Sequence, residues 1–152
     1  MPMPHKQIMA DLAALPTSIE LEIVAPERQV VQQSVVAVSV PGENGYLGIL
    51  PGHAPLLSVL KSGELSFTQD GRTYYVAVNW GFVEVLPDRV VILAQTAERA
   101  DEIDLSRAQR AKRRAEDRLR KVGDPEIDMK RAEVALERAL TRLQVAERAG
   151  RQ

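Results

Sequence analysis

From Ile19 the chain alternates apolar and polar residues: Ile19, Leu21 and Ile23 are separated by Glu20 and Glu22. A period of two puts one side of a strand in a core and the other in water. Short β-branched runs at 34–40, 64–69, 73–78, 80–86 and 89–94 predict further strands. Asp70-Gly71 predicts a type I′ hairpin turn, whose two central residues need positive φ, and Pro87-Asp88 predicts a second tight turn. The stretch PGENGYLGILPGHAP (41–55) reads as a loop, a short strand and another loop. Many short strands at close spacing predict an antiparallel sandwich or barrel rather than a βαβ fold.

After Glu98 the period becomes helical. Asp101 or Asp104 is placed to cap a helix running to about Val122, with Leu105, Ala108, Ala111, Ala115, Leu119 and Val122 on one side. Gly123-Asp124-Pro125 then breaks the helix, with Asp124 as a new cap and Pro125 at the first helical position. The second helix, to about Ala149, carries Met129, Ala132, Leu136, Ala139, Leu143 and Ala146 at coiled-coil steps. So short a connection makes the two helices antiparallel. Alanine at a seam removes little area from water, so the pair is expected to be marginally stable and to exchange between a folded-down and an opened state. The chain is therefore expected to be α+β: a flexible extension (1–16), an antiparallel β-sandwich (17–98) and a C-terminal antiparallel two-helix hairpin (99–152).

Composition sharpens that boundary. Before residue 101 there are 6 Lys and Arg against 10 Asp and Glu, and from there on 14 against 11; all six aromatic residues precede residue 100. At 152 residues the chain has room for one ordinary domain, or a compact domain and a small appendage. The absence of cysteine excludes disulfides, thiolate metal sites and a cysteine nucleophile, and makes a reducing, cytoplasmic setting the expectation. No apolar run approaches the roughly 18 residues of a spanning helix, so neither membrane insertion nor export is expected.

Catalytic chemistry is thin. His5 and His53 are the only histidines; neither has a neighbour at metal-ligand spacing, and His53 reads as a turn or interface residue. PGENGYLG lacks the Gly-Lys-Ser/Thr ending of a phosphate-binding loop, and no nucleophile stands beside a base. No catalytic or metal site is expected, and the chain reads as a non-enzyme. Arg107 and Arg114 form one stripe and Arg138 and Arg142 another. Closing the hairpin brings residue 107 opposite residue 140, so these cations converge near Glu98 and Asp104. Two readings stay open: an anion site, since guanidinium forks suit phosphate oxygens, or a solvated basic face with Asp104 as a plain cap. Nucleic acid is disfavoured, because the tail has no aromatic to stack on bases and acidic residues interrupt its charge.

The pieces LGILPGHAPLL (47–57), GFVEVLPDRVVILAQTAERA (81–100) and IDLSRA (103–108), in this order, resemble the ε subunit of bacterial and chloroplast F-type ATP synthases, over residues 19–149. The resemblance implies a ten-stranded sandwich that binds the γ subunit of the central stalk and rests on the membrane c-ring. The ring side is similar to the loop at 42–48, with Glu43 and Tyr46, and to the His53 turn. It also implies a non-catalytic rotor subunit, peripheral on the cytoplasmic face of the cell (inner) membrane. Its hairpin opposes ATP hydrolysis when extended into the catalytic head and permits rotation when down. Arg110, Arg113, Arg114, Arg118 and Lys121 would face acidic surfaces of the α and β subunits.

Some members of this family bind ATP on the folded-down hairpin through an I/L-D-x-x-R-A motif. Ile103, Asp104, Arg107 and Ala108 match it, and Glu98, Arg114, Arg138 and Arg142 fall where the remaining contacts lie. ATP is thus implied as a regulatory ligand, with no cofactor required. The segment 1–16 precedes the usual start of the family domain, and Gly123-Asp124-Pro125 stiffens the inter-helix turn against extension. The alternatives are a structural coupler that binds no ATP, and a free-standing β-sandwich adaptor.

Overall fold

The computed structural model describes residue 2 and residues 4–149; residues 1, 3 and 150–152 of the two terminal segments lie outside the description. The Asp70-Gly71 turn has the positive φ its sequence demands, 52° and 75°. It joins β6 (Gly63–Gln69) to β7 (Arg72–Leu86), and Pro87-Asp88 joins β7 to β8 (Arg89–Arg99), with Leu86 opposite Arg89. The two runs expected at 73–78 and 80–86 are thus one strand. The run expected at 34–40 is two: β2 (Arg28–Val35) and β3 (Ala37–Gly42). The chain changes layers at Val36, whose side chain is exposed and whose N–H donates to the Thr68 carbonyl.

A crease organises the sheet. In β7, Val76 and Val78 enter the core, and so do Val83 and Val85. The inward alternation therefore shifts by one between them. The same shift separates Ile92 and Ala94 from Ala97 in β8, and Leu60 in β5 (Leu56–Leu60) from Leu65 and Phe67 in β6. On β7 the shift falls at Trp80 and Gly81, with φ of 46° and 155°, and a Cβ on Gly81 would overlap the Leu93 carbonyl oxygen. Strands that bend in this way let one sheet fold onto itself. One layer is β2, β1 (Ile19–Ala25), the first half of β8, the second half of β7, and β5; the other is the second half of β8, the first half of β7, β6, β3 and β4 (Gly45–Ile49). Among the described residues the sandwich has eight strands rather than ten, because β7 and β8 each serve both layers.

The helices follow a 3-10 turn (Ala100–Glu102). Asp104 caps the helix α2 (Leu105–Leu119), its side chain accepting from the Arg107 N–H at 3.0 Å. The second hairpin helix, α3 (Met129–Ala149), starts later than expected. Asp124 spends its carboxylate on the Glu126 N–H, closing a local turn around Pro125, and Asp128 accepts from the Arg131 N–H at the start of α3. The connection is therefore nine residues, 120–128, and Val122 is exposed in it rather than on the seam. Ala108, Ala115, Ala132 and Ala139 are the buried seam residues. Residues 1–16, expected as a flexible extension, carry the helix α1 (His5–Ala13), a run of helix-forming residues without Gly or Pro. None of its residues is buried.

The linker between sandwich and hairpin is pinned. Arg28 donates to both Glu102 carboxylate oxygens, at 2.6 and 3.1 Å, and the Arg99 Nε–H donates to the Val30 carbonyl. The Arg28 guanidinium first, and the Arg99 N–H after it, hold the Glu102 carboxyl below its ordinary value of 4.5 against the opposing effect of burial. A lowered folded pKa contributes stability above the unfolded value that is lost as pH falls through the folded value. Acid unfolding followed at low salt should therefore show Glu102→Gln losing less stability than the parent as pH drops below about 4.5. Gly81→Ala should cost on the order of 3 kcal/mol or prevent folding, read as the shift of the urea midpoint.

Candidate functional site

The hairpin rests on the outer side of β6, β7 and the end of β8 through few apolar groups. Ala77, Ala100 and Val145 are buried there, flanked by Tyr75, Ile103 and Ala149. Guanidinium groups supply the rest. Arg148 donates to both oxygens of Glu64, at 3.1 and 3.3 Å, with its guanidinium carbon 5.0 Å from the Tyr75 ring centroid. Arg142 Nε–H donates to Glu98 Oε1 at 2.6 Å, and Arg138 donates to the Gln95 side chain at 3.4 Å. The hydrogen bonds to the Glu64 carboxylate raise the Arg148 pKa further above its ordinary value.

Each residue steps roughly 100° around an α-helix. Counted from the seam alanines, Arg107, Arg114 and Arg118 fall to one side of α2, and Arg131, Arg138 and Arg142 to the facing side of α3. The clefts agree with this count. One of about 620 Å³ is lined by Arg118 with Asp128, Lys130, Arg131 and Arg138, and another, on the opposite side, by Lys112, Arg113 and Glu147. Six arginines thus share the hairpin side that carries the sandwich contacts.

Of the residues expected to bind nucleotide, Glu98 and Arg142 are joined directly. Arg138 lies one turn away, with its Nε buried and without a partner. Asp104 is engaged as the α2 cap, Ala108 is sealed into the seam, Ile103 is half-buried against the sheet, and Arg107 and Arg114 are exposed. Arg118, expected at the catalytic head, lines the same cleft as Arg138, whereas Arg110 and Arg113 are exposed on the outer side and Lys121 lies in the connection. Lys130 and Arg131 were not expected. The signal for Arg131 was available: 107, 114, 118 and 131, 138, 142 repeat the same steps of seven and four.

The ring-side residues separate. Glu43 sits in the β3–β4 turn, its N–H donating to the Val59 carbonyl, and Tyr46 beside it is 60% exposed, its hydroxyl end near Gly63. Burial of that end raises the Tyr46 pKa. The His53 turn is instead tied to the β7–β8 end by the Gly52 N–H donating to the Pro87 carbonyl, and His53 Nδ1–H donates to Ala54 O. Val59 pairs with Phe82, five residues before Pro87, so the two anchor points are about 16 Å apart along the strand. Beyond the crease, the outer sheet surface carries Leu57, Phe82 and Leu93, exposed by 69%, 55% and 52%, with Trp80 at its margin. Among the described residues, no group of three or more His, Asp or Glu side chains converges as a metal site, and no helix is long and apolar enough to cross a membrane.

Residues 18–100 match the family model of the ATP synthase delta/epsilon chain β-sandwich domain, and residues 101–147 match its long α-helix domain. A Koribacter versatilis ATP synthase epsilon chain is 57% identical over 106 residues, 70% of this chain and 75% of that one. One from Desulforamulus reducens is 52% identical over 127 residues, 84% and 96% of the two chains. A chain in the cryo-EM structure of the Euglena gracilis mitochondrial ATP synthase OSCP/F1/c-ring superposes with a TM-score of 0.73 at 23% identity, over 91% of this chain and 84% of that one, and shares the fold. Together with the creased sandwich and the docked hairpin, these matches establish that the chain belongs to the ATP synthase delta/epsilon chain family.

Proposed function

We propose that this chain is the ε subunit of a proton-translocating F-type ATP synthase, a non-catalytic part of the central stalk with a mobile inhibitory hairpin. The sandwich couples the catalytic head to the membrane ring on the cytoplasmic face. The hairpin opposes ATP hydrolysis when extended between the α and β subunits and permits rotation when down. The observation that carries this reading is the thin seat of the hairpin. Its apolar contact has three small buried residues, Ala77, Ala100 and Val145, and guanidinium–carboxylate pairs do much of the rest. Partly exposed ion pairs contribute little and weaken with salt, so the docked and released states are close in free energy. The unfilled apolar surface at Leu57, Phe82 and Leu93 suits the γ subunit, and the exposed Arg110 and Arg113 suit acidic surfaces of the head.

ATP is proposed as the ligand that biases the hairpin downward. A ligand shifts such an equilibrium by binding one state preferentially, and the six-arginine side exists only while the hairpin is closed. The Glu98–Arg142 pair favours the second reading, a structural coupler, because it joins two of the nucleotide residues and holds the hairpin down without ligand.

Deleting the hairpin after Glu102 in the assembled enzyme should raise ATP hydrolysis several-fold while the sandwich still co-purifies with the stalk; unchanged hydrolysis would remove the brake from this account. Calorimetric titration of ATP into the isolated chain should show saturable binding, weakened roughly a hundredfold in an Arg107→Ala and Arg138→Ala double variant. No binding at millimolar ATP would select the structural coupler.

A further inference from the structure

We propose that α1 is a strap that closes over this chain's own exposed sheet surface, laying Ile8, Leu12 and Leu15 across Leu57, Phe82 and Leu93 until a partner takes that surface. The helix has little of its own to hold it. It spans nine residues, below the length of about 12 at which isolated helices begin to persist in water. Pro4 stands at its cap position without a side-chain cap bond, and its first turn carries no acidic residue. No residue of α1 is buried, and Ile8, Met9, Leu12 and the following Leu15 are 44% to 56% exposed. At roughly 100° per residue, Ile8, Met9 and Leu12 share one side of the helix, while the Gln7–Asp11 hydrogen bond lies on another. A helix this short with an apolar stripe needs a surface beneath it.

Position selects the surface. A Cβ on Gly52 would lie 3.9 Å from the Leu15 side chain, and the Gly52 N–H donates to the Pro87 carbonyl, so the strap is rooted at the β7–β8 turn. Leu57 stands opposite Glu84, two residues before the end of β7, and Phe82 stands opposite Leu93, four residues before it. Those rows lie about 7 and 13 Å from the turn at about 3.3 Å per residue. Along the helix, Leu12 and Ile8 lie about 5 and 11 Å from Leu15 at 1.5 Å per residue. The two apolar series therefore run out from one root at similar steps. Residues 14–18 join α1 to β1, and so short a tether keeps the helix at an effective concentration in the millimolar range. Closure removes two exposed apolar surfaces from water at once. It covers the sheet surface in the free chain whatever partner that surface serves, and the partner must displace the strap to reach it.

The test reads Trp80, the single tryptophan of the chain, which lies two residues beyond Phe82 on β7 at the margin of that surface. Acrylamide quenching of the full-length parent is compared with that of Ile8→Glu/Leu12→Glu and of Gln7→Glu/Ala10→Glu, which adds the same charge to another side of α1. Circular dichroism confirms that the sandwich folds in each. Trp80 in Ile8→Glu/Leu12→Glu should quench more strongly and emit at longer wavelength than in the parent, and Gln7→Glu/Ala10→Glu should match the parent. Because the chain has no cysteine, Leu12→Cys/Leu57→Cys gives a second reading. Oxidised at low protein concentration, it should form a disulfide within one chain, a bond that requires the two Cα atoms to come within about 7 Å. Equal quenching in all three chains, or equal increases in the two Glu variants, would overturn the proposal. A disulfide formed only between chains would also overturn it and assign α1 to a second copy, and the absence of any disulfide would leave the sheet surface uncovered by α1.

Discussion

The approach of the Gly81 backbone to the Leu93 carbonyl is the constraint on which the rest of the architecture depends. Only a residue without a Cβ permits it, and it lets β7 and β8 turn together from one layer into the other. The one-residue shift in alternation at that line decides which side chains face inward. It sends Val83 and Val85 into the core and leaves Phe82 and Leu93 outside. A strand continuing the alternation of Val76 and Val78 would have buried the opposite set. The crease also carries a cost: Asn79 donates to Thr96 at 2.6 Å, but Asn79 Oδ1 and Ser62 Oγ are buried without partners, against the usual rule for buried polar atoms.

On one side of the crease the outer surface is small and charged, on the other large and apolar. Ala77 and Ala100 leave room for a helix to lie close, while Glu64 and Glu98 offer it charge partners. A seat of this kind positions α3 without gripping it. Arg142 and Arg148 meet those carboxylates, whereas Arg118 and Arg131 lie beside Asp128 at the elbow of the hairpin.

The sequence made much of this legible, and its failures have physical causes. The Asp70-Gly71 turn, the short strand inside 41–55 and the Asp104 cap follow from local chemistry and are found in place. The crease does not show as periodicity, because the change of alternation reads as a break at Asn79 between two strands, 73–78 and 80–86, when only nearest neighbours are considered. The Asp124 cap was misplaced because Asp124-Pro125 and Asp128 carry the same signal, and local turn closure at Glu126 decides between them. The arginine side was half legible: the stripes at 107, 114 and 138, 142 stood out, but their extension to 118 and 131 needed the alanine seam to fix the helix rotation.

Two strands that run unbroken through a fold line make the sandwich a single hydrogen-bonded ribbon rather than two plates pressed together. Side-chain packing alone lets stacked layers slide, since dispersion contacts have no direction. Here, sliding one layer over the other would shear the ladder between β7 and β8 along its full length, from Val76–Arg99 to Leu86–Arg89. The joint is stiff to torsion while remaining thin, the property of a folded sheet-metal bracket, and a twist applied to one layer reaches the other through covalent backbone.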